Sequence, residues 1–147
     1  MTSKGGRVFI SGPMSGIPNY NKDAFNEAEK MLKKAGYSVF NPAWLIQLDE
    51  KLWGSREIAR IDISALSSCD YIFQLDGWDL SLGAKTEAAV AKWMGIEVLE
   101  KSTVRKILRD MESDKNAEMF REYLEGDRSK ASVIRGYRSS RTEHLFW

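Results

Sequence analysis

The stretch RVFISGPMSGIPNYNKDAFNEAEKMLKKAGYSVFNP, Arg7 to Pro42, decides the fold. Its opening RVFIS is short, apolar and β-prone, and it halts at the turn-forming pair Gly12-Pro13. Arg7 to Ser11 therefore reads as a buried first strand. From Tyr20 to Ala35 the apolar positions Phe25, Ala28, Met31, Leu32 and Ala35 recur at three- and four-residue spacing, and Gly36 follows as a C-cap. That pattern predicts an amphipathic helix. Tyr37 to Phe40 reads as a second short strand, closed by Asn41-Pro42.

The alternation continues outward. Ser55 is placed to cap a helix running to Ser68, with Ile58, Ile61, Ala65 and Leu66 on one face. Asp70 to Leu75 is a third strand, Asp76 to Leu82 a polar loop, Gly83 to Met94 a helix ended by Gly95, and Ile96 to Leu99 a fourth strand. Strands alternating with helices predict an α/β fold: a Rossmann-like (flavodoxin-like) open parallel sheet of four to five strands with helices on both faces. Residues 102–125 read as a charged helix, so a helical C-terminal extension follows. The expected organisation is an α/β domain over 1–100 and, over 101–147, a charged helical extension and basic tail packed on the same domain or on a dimer partner. In open α/β sheets the ligand lies beyond the carboxyl ends of the strands. The loops Gly12 to Asn19, Asn41 to Leu45 and Asp76 to Leu82 are marked by that rule.

Composition narrows the classes. A chain of 147 residues with 43% hydrophobic side chains can bury a core without disulfides or metal. Cys69 has no partner for an intramolecular disulfide, and it and His144 cannot assemble a zinc cluster. A reducing, cytoplasmic setting is expected, and no membrane span or secretory signal is read from the apolar runs. Charge is uneven: residues 1–100 hold 11 basic and 13 acidic side chains, whereas 101–147 hold 11 and 8. The basic run Arg128, Lys130, Arg135, Arg138 and Arg141 could meet nucleic acid, or be simply solvated. The terminal Leu145, Phe146 and Trp147 favour docking on the body or on a second subunit.

Two acidic residues stand on apolar faces. Asp62 lies four residues after Ile58 and four before Leu66, and Glu87 lies three after Ala84 and four before Ala91. A carboxylate in such a place is paired, hydrogen-bonded or at a cleft, because burying it alone is very costly. The plainer alternatives are a helix-edge Asp at the cleft rim and a first-turns Glu favoured by the helix dipole. Together, on adjacent helices opening at the same sheet edge, they suggest acid/base or nucleophilic work at a sugar carbon. The loop Gly12, Met14, Ser15, Gly16 has the make-up to cradle an anion or a ribose through backbone N–H groups. It is neither a dinucleotide fingerprint nor a P-loop. Ser81, with Gly83 close behind, stands at a helix N-terminus, either as a phosphate contact or as a plain N-cap.

Three segments then become recognisable. VFISGPMSGIPNYN (Val8 to Asn21), the D-x7-D element from Asp62 to Asp70, and the S-L-G-x-x-x-E element from Ser81 to Glu87 resemble the nucleoside 2-deoxyribosyltransferase-like superfamily. The likeness is to its GPMSG-type branch, frequent in phage and bacterial genomes, and to its 2'-deoxynucleoside 5'-monophosphate N-glycosidases, over about residues 7–100. The resemblance implies that Glu87 is the nucleophile at the anomeric carbon and that Asp62 orients the sugar or protonates the departing base. It places Ser81 where monophosphate-using members contact the 5'-phosphate and free-nucleoside transferases carry an acidic residue that would repel it. It further implies a homodimer or higher homo-oligomer whose neighbouring subunit completes the pocket, a nucleotide or nucleoside as the small-molecule partner, and no metal or organic cofactor.

The expected function is thus an N-glycosidase, hydrolase more than deoxyribosyltransferase, acting through a covalent glycosyl-Glu87. Its alternatives are an N-glycosidase for a ribonucleotide or NAD-like substrate, and a nucleotide-sensing module that kept the fold without turnover. One departure is visible: where the family commonly has a strand-one Tyr near the active site, this chain has Phe9, which has no hydroxyl to orient Glu87. Tyr20 and Tyr71 are the candidate substitutes.

Overall fold

A computed structural model of the chain describes residues 5–48, 51 and 54–126. Four strands, β1 (Arg7–Ser11), β2 (Ser38–Phe40), β3 (Tyr71–Gln74) and β4 (Glu97–Val98), form one sheet in the order β2-β1-β3-β4, every pair parallel. The connecting helices are α1 (Lys22–Lys34), α2 (Ala43–Leu48), α3 (Arg56–Ser67) and α4 (Leu82–Met94), and α5 (Lys101–Glu125) follows β4. This is the expected α/β architecture, with four strands and a C-terminal helix.

Alternation along β1 assigns the two faces of the sheet. Val8 and Ile10 point into a cluster with Phe25, Ala28 and Leu32 of α1, Ile46 of α2, and Val104 of α5. Phe9 points the other way, into a cluster with Leu66 of α3, Ile72 of β3 and Ala91 of α4. Helices cover both faces, which is why β1 is apolar at every position from Val8 to Ile10. Leaving β1, the chain first pairs β2 on one side and then crosses to place β3 on the other. The direction of winding reverses between β1 and β3, and the carboxyl ends of those two strands therefore flank the crevice where such sheets take ligands. Ser11 and Gln74 are register partners there, and the Leu75 amide donates to the Ser11 carbonyl at 2.8 Å.

Several boundaries differ from those read in the sequence, each for a local reason. The helix expected from Tyr20 begins at Lys22, because Asn19, Tyr20 and Asn21 are left-handed, with φ of 55°, 55° and 62°. The Asn21 side-chain amide turns back to donate to the Pro13 carbonyl at 3.0 Å, which ties this turn to the loop after β1. The loop expected over Asn41 to Leu45 is mostly helix: fully buried Asn41 accepts from the Ala43 amide and starts α2. The polar loop after β3 contains a short 3-10 turn, Trp78–Leu80, and β4 is only two residues long. On α3 the true apolar stripe passes through Ile58 and Leu66, while Ile61 is exposed.

The chain divides into two compact units, Met1–Leu108 and Arg109–Trp147. In the first, the opening turns of α5 bury Val104 and pack Ile107 and Leu108. In the second, the rings of Phe120 and Tyr123 meet edge to face at 6.3 Å. The basic run Arg128 to Arg141 and the terminal Leu145 to Trp147 lie outside the described residues. No helix among the described residues is long and apolar enough to cross a membrane.

Gly12 is required by packing. A Cβ there would lie 2.7 Å from the Leu75 Cβ, and Leu75 is itself buried, so the two strand ends must separate to admit it. Gly12→Ala is expected to cost about 1–3 kcal/mol of stability, the usual range for overpacking, measured by urea unfolding. Unchanged stability would show that β1 and β3 do not meet this closely.

Candidate functional site

The site is assembled from β1, α3 and α4 around the crevice. Ser11 ends β1 on the same face as Phe9, one pleat period further along, and is 1% exposed. Opposite it, α4 presents Glu87 between two alanines, Ala84 and Ala91, both buried. Their small side chains let the helix lie close to the sheet. The Ser11 hydroxyl donates to Glu87 Oε1 at 2.7 Å. Asp62 approaches from the adjacent α3, and its Oδ1 is buried without a hydrogen-bond partner among the described residues.

Both carboxyls are pushed far from their ordinary behaviour. Burial raises Asp62 from 3.8 to about 7. Burial likewise raises Glu87 from 4.5 to about 7, opposed by the Ser11 hydrogen bond and reinforced by the charge of Asp62. Both groups therefore hold a proton more readily than a solvated carboxyl does, and the charge of Asp62 adds to the shift of Glu87. A carboxylate beside a carboxylic acid is the equipment that glycosidic bond cleavage uses, one to attack or stabilise and one to protonate.

The other candidate residues fall around this pair in different ways. Ser81 is the N-cap of α4: its hydroxyl oxygen accepts from the Ala84 amide at 3.2 Å. Gly83 is exposed in the first turn, four residues before Glu87 and so on its side of the helix. Ser15 and Gly16 are exposed in the loop after β1, where Gly16 takes a φ of 75°. Met14 is different, since its side chain is buried in the cluster under α1 and only its backbone faces the loop. The Pro13 ring lies beside Gly77, so the loops following β1 and β3 stand next to one another.

Ser11 as a partner of Glu87 was missed in the sequence, and the signal for it was the alternation of β1. Phe9, in the place of the expected Tyr, is fully buried and stacks on Phe40 at 5.6 Å. Tyr71 meets Tyr37 edge to face, and both Tyr71 and Tyr20 pack against the cluster on the α1 side of the sheet. The hydroxyl bonded to Glu87 is that of Ser11.

Two grooves lie apart from the carboxyl pair. One of about 490 Å³ runs along Asn26, Glu29, Trp44 and Gln47, where Glu29 accepts from Asn41, Trp44 and Lys33 and is held below its ordinary pKa by them despite its partial burial. The other, of about 410 Å³, opens beyond β3 and β4 between Asp76, Trp78, Lys101 and Arg105. Lys101 bridges to Asp76 across its mouth at 2.6 Å. Among the described residues no group of His, Cys, Asp or Glu is arranged to hold a metal.

The fold is that of the nucleoside 2-deoxyribosyltransferases. A 2-deoxyribosyltransferase from Leishmania mexicana superposes with a TM-score of 0.50 at 20% identity, over 63% of this chain and 61% of that one. A 2-deoxyribosyltransferase from the psychrotolerant bacterium Bacillus psychrosaccharolyticus gives 0.49 at 24% identity, over 63% and 69%. The chain thus spans less than two thirds of the length of the Leishmania protein. Residues 6–100 match the family described as Domain of unknown function (DUF4406), and the chain belongs to that family. No curated protein matches it.

The raised carboxyls have a consequence for stability. A carboxyl whose folded pKa lies above its unfolded value stabilises the fold fully below about 4 and loses that contribution as pH rises through about 7. Relative to the wild type, Asp62→Asn is expected to be more stable above neutrality by a few kcal/mol, on the order of 1.4 kcal/mol for each pH unit that separates the folded and unfolded values. The gap should close toward acid. Urea unfolding across pH measures this. Parallel curves for the two proteins would mean that Asp62 is not desolvated.

Proposed function

We propose that this chain is an N-glycosidase that cleaves the N-glycosidic bond of a 2'-deoxynucleoside 5'-monophosphate, with hydrolysis favoured over transfer to a second base. One observation carries the reading: two desolvated carboxyls on adjacent helices meet at the crevice of a parallel sheet, one of them held by a buried hydroxyl. The deoxyribosyltransferase fold and the three sequence elements named above support it.

In this scheme the ionised Glu87 attacks the anomeric carbon as the bond to the base breaks. The bonding pair leaves with the base nitrogen, which takes the proton of Asp62. Water then attacks the glycosyl-Glu87 ester, returning a proton to Asp62, releasing the deoxyribose 5-phosphate and restoring the Glu87 carboxylate. The scheme uses no metal or organic cofactor. Gly12, Met14, Ser15 and Gly16 offer backbone N–H groups to the sugar. Ser81 and Gly83 receive the 5'-phosphate at the start of α4, where the unpaired amides of the first turn favour an anion. Ser81 uses its oxygen to cap Ala84, which leaves its hydroxyl proton to donate.

The test is a chromatographic screen for free base, run on each deoxy- and ribonucleoside and its 5'-monophosphate. Base released from a deoxynucleoside monophosphate, and abolished by Glu87→Gln, is the expected result. Ser81→Asp keeps a good N-cap but adds charge, so it should shift preference from monophosphates toward free nucleosides. No release from any substrate, or a Glu87→Gln variant at wild-type rate, would overturn the reading. Release of nicotinamide from NAD would redirect it to an NAD-like substrate.

A homodimer belongs to the same proposal. Leu80 and Leu82 beside the site and Trp93 further along α4 are each at least 80% exposed, a surface that a second copy would cover. Sedimentation of the full chain should give a dimer that Trp93→Glu weakens; a monomer at all concentrations would contradict it.

A further inference from the structure

The crevice holds two carboxyls, and the proposed chemistry needs them in fixed and opposite states, Glu87 ionised and Asp62 protonated. Something must set them apart. The hydrogen bonding of the two groups differs: Glu87 Oε1 receives a hydroxyl hydrogen bond, whereas Asp62 Oδ1 is buried with no donor among the described residues.

We infer that Ser11 is a positioning residue that divides the proton of this pair: its hydroxyl, donated to Glu87 Oε1, keeps Glu87 ionised and oriented for attack and leaves the proton on Asp62. This deepens the N-glycosidase reading and rests on it.

The physical argument has three parts. A donor to a carboxylate oxygen stabilises the charged form, and such a charge-assisted bond is stronger than one between neutral groups. Asp62 Oδ1 is buried with no such donor, so its charged form is disfavoured, and the proton settles there. Ser11 is also hard to displace. It is 1% exposed, so water does not compete for its hydroxyl, and it belongs to the central strand. Its carbonyl accepts from Leu75 at 2.8 Å, and Phe9, one pleat earlier on the same face, is locked among Leu66, Ile72 and Ala91. The hydroxyl fixes Oε1, so the other oxygen, Oε2, is the one to meet the anomeric carbon.

The remaining charged groups around α4 leave this assignment to Ser11 and Asp62. The elements packed against α4 carry Arg7 of β1, Tyr71 of β3, Arg56, Glu57, Arg60 and Asp62 of α3, and Asp79 of the turn before α4. Of these, only Asp62 acts on the ionisation of Glu87.

The test pairs a titration with kinetics, using the full chain and Ser11→Ala, a substitution small enough for the buried site to accept. Carboxyl-carbon NMR of Glu- and Asp-labelled protein, with signals assigned through Glu87→Gln and Asp62→Asn, should show Glu87 ionising before Asp62. In Ser11→Ala the Glu87 step should move up by about one to two pH units, the worth of a hydrogen bond to a charged group, and Asp62 should ionise earlier. Base release should lose about ten- to a hundredfold in kcat near neutrality with KM little changed, and the acidic limb of its pH profile should move up in step with Glu87. A Glu87 titration that Ser11→Ala leaves in place would overturn the inference, as would a fall in kcat with no movement of the acidic limb. If the wild type releases no base, the N-glycosidase reading fails by itself, while the titration still decides whether Ser11 divides the proton.

Discussion

The structure is organised by the need to hold two carboxyl groups out of water at the crevice between β1 and β3. Burying an ionised carboxylate alone is very costly, and two features here lessen that cost: both groups hold a proton more readily than a solvated carboxyl does, and the Ser11 hydroxyl donates to Glu87. The surroundings follow from that requirement. Ala84 and Ala91 are small, so α4 can bring Glu87 down to the end of β1. Ile58 and Leu66 anchor α3 on both sides of Asp62. Burial pushes both groups up to about 7, in the working range of acid/base chemistry.

β1 serves every part of this arrangement. Its internal place in the sheet lets it touch both cores, with Val8 and Ile10 on the α1 side and Phe9 on the α3 and α4 side. The same alternation that buries Phe9 carries Ser11 to Glu87. Immediately afterwards Gly12 permits the close approach of Leu75, and the chain opens into a loop held by the bond from Asn21 to Pro13. Three consecutive left-handed residues, Asn19 to Asn21, pay for that bond in backbone strain. Structural and chemical roles are thus written on adjacent residues, with the change from one to the other falling at Ser11.

Much of this was legible in the residues themselves. The apolar run ended by Gly12-Pro13, the helical spacing from Phe25 to Ala35 and the acidic residues on otherwise apolar faces were local signals, and the parallel sheet with Asp62 and Glu87 at its edge followed from them. What escaped notice depended on tertiary contacts. A serine after three apolar residues looks like no more than the end of a strand, and only the closeness of α4 reveals it as the partner of Glu87. Tyr20 and Tyr71 have the hydroxyl that Phe9 lacks, but their rings pack on the α1 side of the sheet, and the hydroxyl bonded to Glu87 is that of Ser11. Asn41 looked like a strand-ending turn residue, and its burial turned it into the start of α2. Ile61 matched the helical spacing, yet the stripe that packs is centred one position on, at Asp62.

The central claim is that Glu87 forms a covalent bond to the sugar, and trapping that bond tests it most directly. A 2'-fluoro analogue of the preferred deoxynucleoside monophosphate should slow the second step, because fluorine beside the anomeric carbon destabilises the oxocarbenium-like state through which the ester is hydrolysed. Mass spectrometry of the digested protein should then find the fluorosugar phosphate on the peptide containing Glu87, and nowhere in Glu87→Ala. Base release with no adduct, or an adduct on another residue, would contradict the account.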